Sequence, residues 1–92
     1  MCGIAGIVSL SKSIDERKIT LHKMLKAQAH RGPDAQQDWH DVACSFGHNR
    51  LSIIDLSDEA NQPMHSSCGR YVVVFNGEIY NYIEIKAALH NH

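Results

Sequence analysis

The sequence predicts an α+β fold with a largely antiparallel sheet. Three observations carry this: short apolar, β-branched runs set between turn residues, one long pattern of helical period, and an order of strand, helix, several strands and the opening of a second helix. Residues 4–10 lie between Gly3 and Ser11-Lys12-Ser13 and suit a buried strand. Ser13 and Glu16 have the spacing of a capping box. After them Ile14, Leu21, Met24, Leu25 and Gln28 fall on one helical face, up to a stop at Gly32-Pro33. Val42, Cys44, Phe46 and His48 alternate with Ala43, Ser45 and Gly47, and residues 51–56 form a second apolar stretch, so this region predicts two strands or one bent strand. Residues 61–63 and 66–69 read as loop, residues 71–75 as a buried strand, and Asn76-Gly77 as a turn. Asn81 with Glu84 predicts a cap for a last helix through Leu89. Nothing after Leu89 closes a core, so the chain reads as the first part of a larger domain.

Composition narrows the function classes. A chain of 92 residues holds at most one small domain, and such a chain buries roughly 60–65% of its unfolded surface. Nine Lys plus Arg stand against ten Asp plus Glu, the net charge is -1, and no basic run occurs, which argues against a nucleic-acid partner. The cysteines Cys2, Cys44 and Cys68 form neither an even disulfide set nor a CxxC pair, so thiols in a reducing compartment are expected. With no signal-like start and no stretch of membrane-span length, the expected location is the cytoplasm. The seven histidines show no metal-ligand spacing, and no metal site is expected.

The chemistry concentrates at the start. Removal of Met1 would make Cys2 the N-terminal residue, with a nucleophilic thiol and an α-amine of reference pKa about 7.7–8.0 that can take and return a proton. The plainer alternative is a small cysteine packed at a strand start. Asn76-Gly77 between apolar segments is, on pattern alone, a hairpin turn. Arg50, between Gly47-His48-Asn49 and an apolar stretch, can grip a carboxylate through two parallel hydrogen bonds, or can be a solvated surface charge. Asp34 reads as a stabiliser of the loop after Gly32-Pro33, and Cys44 and Cys68 as packing and loop residues.

Four segments taken together resemble the class II glutamine amidotransferase domain of asparagine synthetases. They are Met1-Cys2-Gly3-Ile4-Ala5-Gly6, Arg31-Gly32-Pro33-Asp34, Gly47-His48-Asn49-Arg50-Leu51-Ser52-Ile53-Ile54-Asp55, and Phe75-Asn76-Gly77-Glu78-Ile79-Tyr80-Asn81-Tyr82, in family order over nearly the whole chain. The resemblance implies an N-terminal-nucleophile fold, an αββα sandwich of antiparallel sheets and packed helices, incomplete here. Residues 1–92 would be the N-terminal part of that domain, with no second domain present. Cys2 is implied as the nucleophile towards L-glutamine. The Asn76 side-chain amide and the Gly77 backbone N–H are implied as oxyanion donors, on the hairpin turn or instead of it. Arg50 would anchor the substrate carboxylate, with backbone at Leu51, Ser52, Ile53 and Ile54 and the residue Glu78 as further contacts.

Ammonia would then serve an ATP-dependent ligase domain that amidates aspartate, in asparagine biosynthesis. That domain is absent from this chain, and ATP and magnesium are expected only there. The family's aspartate that binds the substrate α-amine has no match after Leu89. A non-catalytic fragment working as an interaction module, with a homodimer through an open sheet edge, is the alternative from another class. An amidotransferase with another nitrogen acceptor is a third reading.

Overall fold

A computed structural model describes residues 2–51 and 61–90. The elements in order are β1 (Gly3–Val8), α1 (Ile14–Ala27), a 3-10 turn (Ala29–Arg31), β2 (Ala35–His40), β3 (Cys44–Arg50), β4 (Met64–His65), β5 (Val72–Val73) and α2 (Tyr82–Leu89). Among these residues the strands form two antiparallel sheets, one ordered β1-β3-β2 and a small one pairing β4 with β5. The α+β class and the antiparallel pairing agree with the sequence. No helix among the described residues is long and apolar enough to cross a membrane.

β3 organises the molecule because it is the central strand, with Gly3 opposite Asn49 on β1 and Gln36 opposite Asn49 on β2. Successive residues of a strand point to opposite faces. Ser45, Gly47 and Asn49 face α1, where Gly47 lets the Leu25 side chain approach so closely that a Cβ there would lie 2.6 Å from its Cδ1. The apolar core on this face is Ala5, Leu21 and Leu25, with Ile7 packed against it. Phe46 lies on the other face against Trp39, their ring centroids 5.7 Å apart, and Trp39 in turn meets His65 of β4 edge-on. The central sheet thus carries α1 on one face and the β4 hairpin on the other.

Ser13 caps α1 as its spacing predicts, its Oγ accepting from the Glu16 N–H at 3.1 Å. The face α1 buries differs from the expected one. Arg17, Leu21 and Leu25 are buried, whereas Ile14 and Met24 stay substantially exposed. Arg17 is drawn inside by acceptors: its Nη1 donates to Ser45 Oγ at 3.0 Å and its Nη2 to the Asp41 carbonyl. Since a guanidinium only donates, Ser45 is free to donate its own proton to His40 Nδ1 at 2.7 Å. The proton of a neutral His40 ring then sits on Nε2, 2.9 Å from Asp38 Oδ2, and the same oxygen meets His22 Nε2 at 2.7 Å. A polar chain therefore ties α1 to β2 and β3.

Several expectations need correction. The strand at the start is β1, half-buried rather than buried, with alternate residues exposed along it and Val8 and Leu10 exposed. Val42 belongs to the turn between β2 and β3, where Asp41 Oδ1 accepts from the N–H groups of Ala43 and Cys44. The strand expected over residues 71–75 shrinks to Val72–Val73, with Tyr71, Val73 and Phe75 exposed. Residues 66–69 do form the loop of the β4 hairpin, with Gly69 at φ +74°. Asn76-Gly77 makes no hairpin: it runs into α2 without pairing strands, and Gly77 lacks the positive φ that such a turn demands. Asn81 holds the N-cap position of α2 but makes no side-chain cap bond. The apolar stretch after Leu51 and the predicted contacts at Ser52, Ile53 and Ile54 lie outside the described residues.

Candidate active site

Cys2 stands immediately before β1, half-buried, as a free thiol. Pairing of Gly3 with Asn49 brings Cys2 beside the end of β3, so that the Leu51 N–H donates to Cys2 Sγ at 3.4 Å. The Leu51 carbonyl lies 3.9 Å from the same sulfur. The sulfur is thus set between the N–H and the carbonyl of one residue at the end of β3.

Two further donors converge on the Cys2 carbonyl oxygen. Asn76 Nδ2 donates to it at 2.9 Å, across 74 residues of sequence, and Arg31 Nε at 3.3 Å. The segment bearing Asn76 is held in place from below, where Gln62 Oε1 accepts from the Phe75 N–H at 2.6 Å. Gly77 follows Asn76, and with Phe75, Glu78, Ile79, Tyr80 and Tyr82 it lines an open groove leading towards α2.

Arg50 ends β3, only 6% exposed, and its Nη1 donates to Asn61 Oδ1 at 2.6 Å. Such burial makes the solvated-surface alternative untenable for Arg50. The Arg31-Gly32-Pro33-Asp34 segment sets this position. A Cβ on Gly32 would lie 2.4 Å from the Asn49 carbonyl group and 2.6 Å from the Arg50 nitrogen, so only glycine lets the loop press against β3 there. The Asp34 N–H then donates to the Arg50 carbonyl at 2.9 Å. On the opposite face Gln28 Nε2 donates to Asn49 Oδ1 at 2.9 Å, which ties the end of α1 to the same turn of backbone.

Cys2, Leu51 and Asn76 are thus brought together, while Arg50 sits one residue before Leu51. Arg31 joins them, although the sequence assigned it no role of its own; its place in the Arg-Gly-Pro-Asp segment was the available signal. Among the described residues no group of three or more His, Cys, Asp and Glu side chains could hold a metal ion.

A family model described as a glutamine amidotransferase domain matches residues 1–92. The chain belongs to this family. Over its whole length it is 45% identical to the asparagine synthetase [glutamine-hydrolyzing] 2 of Bacillus subtilis, of which it covers 12%. It is 39% identical to the asparagine synthetase [glutamine-hydrolyzing] 1 of the same organism, with 97% of this chain and 14% of that protein aligned. A protein of Gibberella zeae named amidase chry2 is 40% identical across 97% of this chain and 15% of its own length. The chain therefore spans only 12% to 15% of the length of these three proteins.

Proposed function

We propose that this chain carries the glutamine-hydrolysing site of an asparagine synthetase-like amidotransferase, with Cys2 as nucleophile. The observation that carries the reading is the convergence of the Leu51 N–H on Cys2 Sγ and of the Asn76 amide on the Cys2 carbonyl. Once Met1 is removed, the α-amine accepts the thiol proton and Sγ attacks the side-chain amide carbon of glutamine. The carbonyl electrons move onto oxygen, and the Asn76 amide with the Gly77 N–H holds that charge. Collapse breaks the C–N bond, the α-ammonium returns its proton, ammonia leaves, and a γ-glutamyl thioester remains. Water then attacks the thioester carbon and releases glutamate and the free thiol. Arg50 holds the substrate α-carboxylate, aided by Glu78 and by backbone at residues 51–54.

Within this reading residues 1–92 are the N-terminal part of an N-terminal-nucleophile sandwich, acting in the cytoplasm. Ammonia passes to an ATP-dependent domain outside this chain that amidates aspartate, and ATP and magnesium belong there. The similarity to a protein named an amidase favours a second reading in which the amide is hydrolysed without transfer of the nitrogen to an acceptor.

The deciding experiment is intact mass before and after treatment with the glutamine-analogue electrophile 6-diazo-5-oxo-norleucine, with peptide mapping. Expected are loss of the Met1 mass and one adduct, on Cys2, that Cys2→Ala abolishes. Retained Met1, or alkylation spread over Cys44 and Cys68, would overturn the assignment.

A further inference from the structure

Asn61 and Gln62 are neighbours in the chain, and each of them holds one of the two groups proposed above to grip glutamine. Arg50 Nη1 donates to Asn61 Oδ1 at 2.6 Å, and the N–H of Phe75, the residue directly before Asn76, donates to Gln62 Oε1 at 2.6 Å. The β4 hairpin explains how one dipeptide reaches both. Met64 pairs with Val73 and His65 with Val72, so counting on along the same antiparallel register sets Gln62 level with Phe75 and Asn61 level with Asn76. Pro63 has no N–H to give to a ladder, and beyond it the Gln62 side chain takes the Phe75 N–H. Phe75, Asn76 and Gly77 are all exposed, so packing does not hold this segment and hydrogen bonds must. On the other arm Asn61 offers Arg50 a neutral acceptor, a contact that orients the guanidinium without setting an opposing charge against it.

We propose that Asn61 and Gln62 are positioning residues that together set the separation between the carboxylate grip of Arg50 and the oxyanion amide of Asn76, and thereby select an amino-acid amide of glutamine's length. This rests on the roles given above to Arg50 and Asn76, and it adds which residues impose the chain length. Both grips border the nucleophile: Arg50 directly precedes Leu51, whose N–H meets Cys2 Sγ, and Asn76 meets the Cys2 carbonyl. A substrate one methylene shorter, held by its carboxylate, misses the reacting point, and a displacement of about 1 Å there costs up to about 100-fold in rate. The two arms act on different quantities. Asn61 works through Arg50 on capture of the carboxylate, whereas Gln62 works through Phe75 on the polarised carbonyl oxygen.

The test reads the saturating rate and the half-saturation concentration of Cys2 alkylation by 6-diazo-5-oxo-norleucine and by 5-diazo-4-oxo-norvaline, its homologue one methylene shorter. It compares the unaltered chain with Asn61→Leu and Gln62→Met, which keep the size of each side chain and remove the acceptor. With the longer reagent Asn61→Leu should raise the half-saturation concentration about 10-fold or more and leave the saturating rate within about 2-fold. Gln62→Met should do the reverse, lowering the saturating rate about 10-fold or more. The shorter reagent cannot engage both grips and should lose little in either variant, so the preference for the longer one should fall about 10-fold. Gln62→Glu, which keeps an acceptor oxygen, should recover the rate. If either apolar variant does not fold, Asn61→Ser and Gln62→Ser, polar but too short to reach, carry the same predictions. Equal losses of both quantities in both variants, or an unchanged preference between the reagents, would overturn the proposal and leave the glutaminase reading standing. If Cys2 of the unaltered chain resists both reagents, that reading fails and this inference falls with it.

Discussion

At the scale of single residues, the site depends on close approach more than on charge. Gly32 is the clearest case, because a methyl group there would meet backbone rather than a side chain that can swing aside. Gly32→Ala must therefore displace the end of β3, and overpacking of this kind costs typically about 1–3 kcal/mol. The displaced atoms are the Asn49 carbonyl and the Arg50 nitrogen, so the same shift moves the guanidinium proposed to hold glutamine. The expected outcome is a lower urea midpoint together with a several-fold rise in the half-saturation concentration of the diazo-ketone. A variant with unchanged midpoint and unchanged saturation would show that the loop does not press on β3 as described. Gly3 contrasts with it, since a Cβ there meets only the flexible Gln28 side chain at 2.9 Å, and Gly3→Ala should be the milder change.

At the scale of elements, α1 is fastened to the sheet by as much polar as apolar contact, and this gives it a pH dependence. Burial pushes the Asp38 carboxyl up, but hydrogen bonds from His40 and His22 and their charges outweigh that and hold it below the usual carboxylate range. A carboxyl whose folded pKa is depressed contributes stability that is present above its unfolded value, near 3.8, and lost as pH falls through the folded one. Thermal stability should accordingly drop on acidification below about pH 4, and Asp38→Asn should flatten that slope; an unchanged slope would remove Asp38 from the cause. This fastening also explains which elements could be read in advance. β1 and α1 announce themselves through β-branched runs and a Ser13 cap. β2, Ala-Gln-Gln-Asp-Trp-His, was not foreseen, because its inward residues Gln36, Asp38 and His40 are polar and pair with other polar groups. Arg17 was overlooked for the same reason: helical periodicity selects apolar residues, whereas Ser45 and the Asp41 carbonyl select a guanidinium. The residues that gather at the candidate site were easier to single out, since Cys2, Arg50, Leu51 and Asn76 sit in short motifs, although the spacing could not tell that Arg31 reaches the Cys2 carbonyl.

At the scale of the whole molecule, the balance between core and surface is unusual. Among the described residues the buried apolar cluster comprises Ala5, Leu21 and Leu25, while Phe75, Ile79, Tyr80, Tyr82, Ile83 and Leu89 are all exposed, and α2 buries none of its own. Apolar area removed from water contributes about 25 cal/mol per Å², so this surface favours any contact that covers it. In a solution of the purified chain the available apolar partner is a second copy. Self-association is therefore predicted, with a sedimentation coefficient that rises with concentration, and Ile83→Glu together with Tyr80→Ser should suppress it without unfolding the central sheet, which α2 does not cover. A stable interface buries on the order of 1,000 Å² or more in total, which a weaker, graded association need not reach. A constant monomer mass from micromolar to near-millimolar concentration would mean that the α2 region meets its apolar needs within one chain. In that case the exposure of Ile83 and Leu89 could not be taken as the driving force for joining this chain to anything else.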